Sequence, residues 1–158
     1  MNVASWLVWG FGATVVLTTL LAVAQGLRLT RMSVPFILGT MVTANRDRAR
    51  FFGIGMHLVN GWLFGLLYVA IFHVWHAAGL LMGVTIGLVH SLFVLVVALP
   101  ALPAIHPRMA SEERGPTPTR ALEPPGFLAL HYGYATPVAV VIAHVVYGAL
   151  LGVLYHNA

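Results

Sequence analysis

Residues 51–107 read FFGIGMHLVNGWLFGLLYVAIFHVWHAAGLLMGVTIGLVHSLFVLVVALPALPAIHP and contain no Asp, Glu, Lys or Arg. A bilayer core of about 30 Å takes about 20 residues of helix, so this stretch is long enough to cross twice. The turn between the crossings falls in His73-Val74-Trp75-His76-Ala77-Ala78-Gly79, where polar-tipped rings meet a glycine. Pro100 and Pro103 are expected to end the second crossing, because proline lacks the N–H that continues the helical ladder. Outward from this core, 1–27 and 124–158 also lack charged side chains, and each has room for one span. The expected fold is an all-α membrane protein, one membrane domain over 1–158. Its four transmembrane helices fall at about 4–26, 51–75, 78–99 and 136–156, with loops 27–50 and 100–135.

Of the 158 residues, 59% are hydrophobic and 8% charged. Water-soluble domains carry about 25% charged residues, which excludes a soluble globule. The absence of cysteine excludes disulfides, thiolate metal sites and thiol nucleophiles. The net charge of +4 arises from arginine alone, without lysine. Arg28, Arg31, Arg46, Arg48 and Arg50 lie in the first long loop, and Arg108, Arg114 and Arg120 in the second. Basic residues that flank apolar spans mark the cytoplasmic side rather than a nucleic-acid surface. Both loops are therefore expected inside and both termini on the non-cytoplasmic side, in a bacterial cytoplasmic (inner) membrane. Trp6, Trp9, Trp75 and Tyr155 would then form an outer aromatic belt. Ala22-Val23-Ala24 has the small residues of a cleavage site. With no basic start and a long apolar run before it, however, the first segment reads as a retained span.

An internal similarity runs through the second and fourth spans. HLVNGWLFGLLY (57–68) aligns without gaps to HVVYGALLGVLY (144–155), matching the His, both Gly and the final Tyr. Two tandem, parallel-related helix–loop–helix repeats would produce this. Ahead of each matched span lies a short apolar segment, 34–42 and 125–132, expected to be interfacial or re-entrant. Residues 111–125, polar and proline-rich, are expected to form an exposed excursion.

Small residues recur every four positions. Gly53, Gly61 and Gly65 share a face of the second span, as do Gly79, Gly83 and Gly87 in the third and Gly148 and Gly152 in the fourth. Such stripes let apolar helices approach closely in lipid, so spans two, three and four are expected to meet along them. The same stripes could open room for a flat ligand. Of the eight histidines, His73, His76, His106, His131 and His156 fall at expected interfaces, where imidazole is half-solvated. His57, His90 and His144 lie within spans, at depths of about 9–14 Å from the cytoplasmic ends. Polar residues at such depth face a bundle interior and mark candidate sites. Two of them, His57 and His144, suit haem ligation; all three together suit Zn or Cu. Asn60, Ser91 and Tyr147 are the nearest polar neighbours by spacing. The plainer role for the three rings is hydrogen-bonded packing between helices.

Motifs for catalysis are absent: there is no HExxH, nucleophile elbow or phosphate loop, and no carboxylate lies in any span. Segments 106–113 (HPRMASEE), 115–133 (GPTPTRALEPPGFLALHYG), 39–49 (GTMVTANRDRA), 57–61 (HLVNG) and 144–148 (HVVYG) resemble a family of small four-span bacterial integral membrane proteins to which no activity is assigned. The resemblance implies the four-span fold and no chemistry. The expected function is a helix-bundle or accessory subunit of a larger membrane assembly, partnered by lipid and by other subunits or further copies of itself. The alternatives are a haem- or metal-binding redox protein and a small transporter or channel.

Overall fold

The charged run Arg46-Asp47-Arg48-Ala49-Arg50 is helical. In the computed structural model, which describes residues 1–111 and 113–155, the helices are α1 (Val3–Gly26), α2 (Val34–Val42), α3 (Arg46–Val74), α4 (Leu80–Ile105) and α5 (Thr136–Leu154). A 3-10 segment, Phe127–Tyr132, precedes α5. All but α2 and the 3-10 segment are long and apolar enough to cross a membrane. The chain is thus a multi-pass, all-helical membrane protein. His156 and the end of the fourth span as read from sequence lie outside the described residues.

Two helix ends differ from the sequence expectation. Helix α3 begins five residues before the apolar run because Asn45 caps it, accepting from the N–H groups of Asp47 (3.1 Å) and Arg48 (3.0 Å). Asp47 in the first turn adds favourable charge at the positive helix end. Helix α4 passes Pro100 and Pro103 to reach Ile105. A π-turn over Val94–Ala98 widens the helix just ahead of Pro100, and such a turn relaxes the steric block a proline ring imposes on the preceding turn.

Helix α2 is the short apolar segment 34–42, started by Ser33, which accepts from Phe36 N–H at 3.4 Å, and by Pro35 in the first turn. It lies flush on α3. A Cβ on Gly39 would stand 1.7 Å from the Ala49 carbonyl oxygen, and one on Gly53 would stand 1.6 Å from that of Pro35. Only glycine permits such an approach. The C-terminal carbonyls of α2 are taken up from α4 and the loop beyond it. His106 Nε2 donates to Ile37 C=O (2.9 Å), and Arg108 donates to Thr40 C=O (2.5 Å). His106 is therefore buried, not half-solvated as its interface position in the sequence implied, because its ring packs on α2 as a further donor to the Ile37 carbonyl, which also accepts from the Thr40 hydroxyl.

The long helices pair in two seams. Helix α5 packs most extensively on α4, glycine against glycine: Cβ atoms on Gly83 and Gly148 would each lie 2.1 Å from the other's carbonyl oxygen. One on Gly152 would lie 2.2 Å from Gly79 O, and one on Gly87 2.5 Å from His144 O. The stripe of α3 turns elsewhere. Gly61 faces Thr14 of α1, and Gly65 faces the Tyr147 hydroxyl and Gly10. The expected meeting of spans two, three and four along their glycines thus holds for α4 with α5. Helix α3 instead sets its small residues mainly against α1 and α2, meets α5 there through the Tyr147 hydroxyl, and reaches α4 through the Phe64 and Tyr68 side chains. Helix α1 could accept it because Gly10 and Thr14 supply a small face there.

At one end of the bundle the two long connections interlock. Arg31 pairs with Glu123 (3.0 Å) and donates to His131 C=O, and Tyr132 O–H donates to Glu123 C=O (2.5 Å). The Thr30 and Thr136 hydroxyls bond at 2.7 Å. Residues 108–122 fold back on themselves through Leu122 N–H to Arg108 C=O (3.1 Å) and Ala110 N–H to Leu122 C=O (3.0 Å), burying Met109. Residues 113–119 are exposed, as expected for this polar stretch, and these bonds tie down its base. At the other end Trp6 stacks on Trp62 (5.1 Å, 11°) and Tyr155 is buried, its hydroxyl accepting from Asn2 N–H at 2.8 Å. Trp75 is exposed as a belt residue would be, whereas Trp6 and Tyr155 serve as packing.

Candidate functional site

His57 on α3, His90 on α4 and His144 on α5 all point inward, each more than nine-tenths buried. They line one cavity of about 170 Å³. Leu17 and Leu21 of α1 form one wall, Val94 and Ala98 of the α4 π-turn another, and Ile37 and Leu38 of α2 close the end. Helix α2 is thus the plug that separates the cavity from the arginine-bearing loops. Asn60 is the one lining residue exposed to the surroundings, and no hydrogen bond holds its side chain among the described residues. The α3 and α4 backbones stand apart here and are bridged by Phe64 and Tyr68 on His90, and Asn60 marks the exposed rim of the cavity.

Each imidazole is anchored through Nδ1. His144 Nδ1 lies 2.8 Å from the Val140 carbonyl, which only accepts, so Nδ1 carries the proton. The Thr18 hydroxyl spends its single proton on the Thr14 carbonyl (2.8 Å). It therefore accepts from His57 Nδ1–H at 2.9 Å. In the neutral tautomer that results, the Nε2 of both rings is a bare lone pair. His90 Nδ1 lies 3.1 Å from the Tyr68 hydroxyl, and its ring stacks on Phe64 (4.3 Å, 25°) and meets His144 edge-on (4.7 Å, 81°). No protein group among the described residues bonds to any of the three Nε2 atoms.

The partners are not those suggested by spacing. Ser91 donates to Leu88 C=O (2.8 Å), Tyr147 donates to Gly61 C=O (2.6 Å), and Asn60 stands at the mouth. The anchors are Thr18, Tyr68 and the Val140 carbonyl. Thr14 and Thr18, one turn apart on one face of α1, were the legible signal. Tyr68 could have been found from its place two turns past Gly61 on the stripe of His57. Among the described residues no three His, Cys, Asp or Glu side chains are placed to hold one metal ion. The volume is also below the roughly 300–1,000 Å³ of pockets for larger ligands, so a porphyrin between His57 and His144 would have to part the helices.

No family model, curated protein or solved structure matches this chain. The site is therefore interpreted from its own chemistry: a small apolar chamber, two hydrogen-bond acceptors held in fixed orientation, a third imidazole beside them, and lateral access.

Proposed function

We propose that the protein is an accessory subunit of a bacterial cytoplasmic-membrane assembly and holds a small lipid-soluble molecule in the cavity between His57, His90 and His144. One observation carries this: three buried imidazoles, each hydrogen-bonded at Nδ1 and without a protein partner at Nε2 among the described residues, line one apolar chamber. A molecule bound in the chamber would supply the hydrogen-bond partner that the protein does not. The resemblance to four-span bacterial proteins, the two arginine-bearing loops and the outward tryptophan support the membrane and the orientation, with both termini outside. A tandem duplication is supported by the seams themselves. His57, Gly61 and Gly65 meet Thr18, Thr14 and Gly10 in the order in which His144, Gly148 and Gly152 meet Gly87, Gly83 and Gly79.

The test is chemical. Protein purified from its membrane in mild detergent is extracted with organic solvent and compared by mass spectrometry with Leu17→Trp, whose ring fills the chamber. The expected outcome is one small apolar molecule per chain in the parent and none in the variant. Equal content in both would end this interpretation. A second interpretation, ligation of haem iron or another transition metal by His57 and His144, is favoured by the Nδ1–H bonds. Metal-binding imidazoles are oriented in the same way by donating their other N–H. A Soret band or stoichiometric metal in the purified protein would decide for it.

A further inference from the structure

We infer that the chamber accepts a single aromatic ring bearing a hydroxyl group, of the phenol or hydroquinone class, carried on an apolar tail that lies between α3 and α4. This rests on the ligand-binding function proposed above and adds the chemical class. Size comes first: an apolar protein cavity of about 150 Å³ takes up a benzene ring, and this one measures about 170 Å³. Apart from the imidazoles and Asn60 at the rim the lining residues are apolar and none is a carboxylate, Lys or Arg, so the walls suit an uncharged ring.

Hydrogen-bond polarity comes next. Thr18 and the Val140 carbonyl hold the protons of His57 and His144 on Nδ1, so these two rings present acceptors only. Against His57 and His144 a ketone or ether would bring acceptor to acceptor, whereas a hydroxyl brings the missing donor. A hydroquinone would bring two. The route in is lateral. Asn60 is exposed at the mouth with its amide unpartnered, and the α3 and α4 backbones, bridged through Phe64 and Tyr68 to His90, stand apart enough for a tail to pass beside Asn60. Ile37 and Leu38 of α2 line the chamber as well, and α2 is clamped in place by His106 and Arg108, whereas Asn60 is the lining residue exposed to the surroundings.

The experiment uses the full chain in phosphatidylcholine nanodiscs and three probes of one length: 4-hexylphenol, 4-hexylanisole and hexylbenzene. Affinity is measured by titration, and histidine ¹⁵N resonances are followed in the parent protein. The expected result is that the phenol binds about tenfold tighter than the methyl ether, the worth of one buried hydrogen bond. It should also shift the Nε2 resonance of His57 or His144, as the ether does not. His57→Phe and His144→Phe should reduce the preference. The ¹⁵N shifts in the parent decide the matter even where a variant fails to fold. Equal binding of all three probes would overturn hydroxyl recognition while leaving a lipophilic binding site intact. Failure of all three to bind, with Leu17→Trp no different from the parent, would overturn both. Tight binding of Zn²⁺ alone, lost in His57→Phe, with no shift from the phenol, would overturn the class in favour of a metal.

Discussion

The α1–α3 seam and the α4–α5 seam are built on the same four-residue spacing, yet they are packed by different atoms. Between α4 and α5 the contact is backbone on backbone, with Gly79, Gly83 and Gly87 under Gly152, Gly148 and the His144 peptide. Between α1 and α3 a side chain intervenes: the Thr14 methyl covers Gly61, and Thr18 reaches His57. Close approach in lipid gains dispersion and weak Cα–H···O contacts and leaves no space for a side chain. The threonine seam concedes some of that closeness and gains a hydrogen-bond partner for a buried ring. One seam is a hinge-free joint. The other orients a candidate ligand.

The sharpest way to separate the seams is to add one methyl group to each. In Gly148→Ala the new Cβ meets the Gly83 carbonyl at 2.1 Å, and backbone cannot step aside. A loss of roughly 3 kcal/mol, at the upper end of overpacking costs, is expected in detergent unfolding. Gly61→Ala meets the Thr14 methyl carbon at 2.3 Å instead, a side-chain atom. Its loss should be roughly 1–2 kcal/mol and should be largely recovered by adding Thr14→Ala. No change at Gly83 smaller than glycine exists to rescue Gly148→Ala. If both alanine variants were rescued by trimming side chains, the seams would not differ as described.

The second test reaches the imidazoles. Thr18→Val removes the acceptor for His57 Nδ1–H and leaves His144 bonded to its own backbone. The expected stability loss is about 1 kcal/mol, in the range measured for hydrogen bonds between membrane helices. ¹⁵N spectra should then show a mixed tautomer for His57 while His144 keeps its proton on Nδ1. Unchanged spectra would mean that Thr18 does not set the His57 tautomer.

How much of this was legible in the sequence depends on whether a signal was local. The four spans follow from hydropathy and length, which each segment carries within itself, and so does the reading of 34–42 as apolar and too short to span, whereas its helical form comes from the structure. The inward direction of His57, His90 and His144 follows from the cost of a polar ring in lipid. The destination of the α3 glycines was not legible, since a stripe states that something comes close without naming it. Gly61 could face Gly83 or Thr14 on spacing alone, and only the assembled bundle chooses. The extension of α4 past Pro100 was missed because a π-turn has no compositional mark. His106 was misread for a related reason: the carbonyl it donates to belongs to a helix more than sixty residues away.

The two pairs of helices are tied together where Tyr132 meets Glu123 and Arg31. Burial, and then the Glu123 carboxylate, push the Tyr132 phenol up from the usual 10.0 to about 12, with Arg31 acting in the opposite sense. A phenol whose folded pKa is raised keeps its proton longer in the folded state than in the unfolded one. Its contribution to stability is whole below pH 10 and is lost as pH climbs from about 10 towards 12. Tyr132→Phe should therefore flatten the alkaline limb of the stability curve, and a tyrosinate absorbance titration should lose a late-ionising ring. A parent and variant with identical alkaline limbs would remove this joint as the pH-sensitive link.

The smallest expected effect concerns how the helices of the first pair end. Helices α1 and α3 each finish in a left-handed residue with a side chain, Arg28 at φ 60° and His76 at φ 50°. In both, the two closing bonds have one pattern: Leu29 N–H to Ala24 C=O (3.0 Å) with Arg28 N–H to Gln25 C=O (3.0 Å), and Ala77 N–H to Phe72 C=O (3.1 Å) with His76 N–H to His73 C=O (3.3 Å). That pattern favours glycine at the left-handed position, where an L side chain costs about 1 kcal/mol or more. Helices α4 and α5 end instead in extended residues, His106 and Tyr155, where glycine has nothing to relieve. His76→Gly should thus stabilise the protein by up to about 1 kcal/mol, less what the freer unfolded chain takes back. Tyr155→Gly should only destabilise, because it removes a buried ring and the hydroxyl that accepts from Asn2. The measurement is the unfolding midpoint in one detergent for parent, His76→Gly and Arg28→Gly. A lower midpoint for both would show that these side chains make contacts worth more than the strain they impose, and the two helix pairs would then end on equal terms.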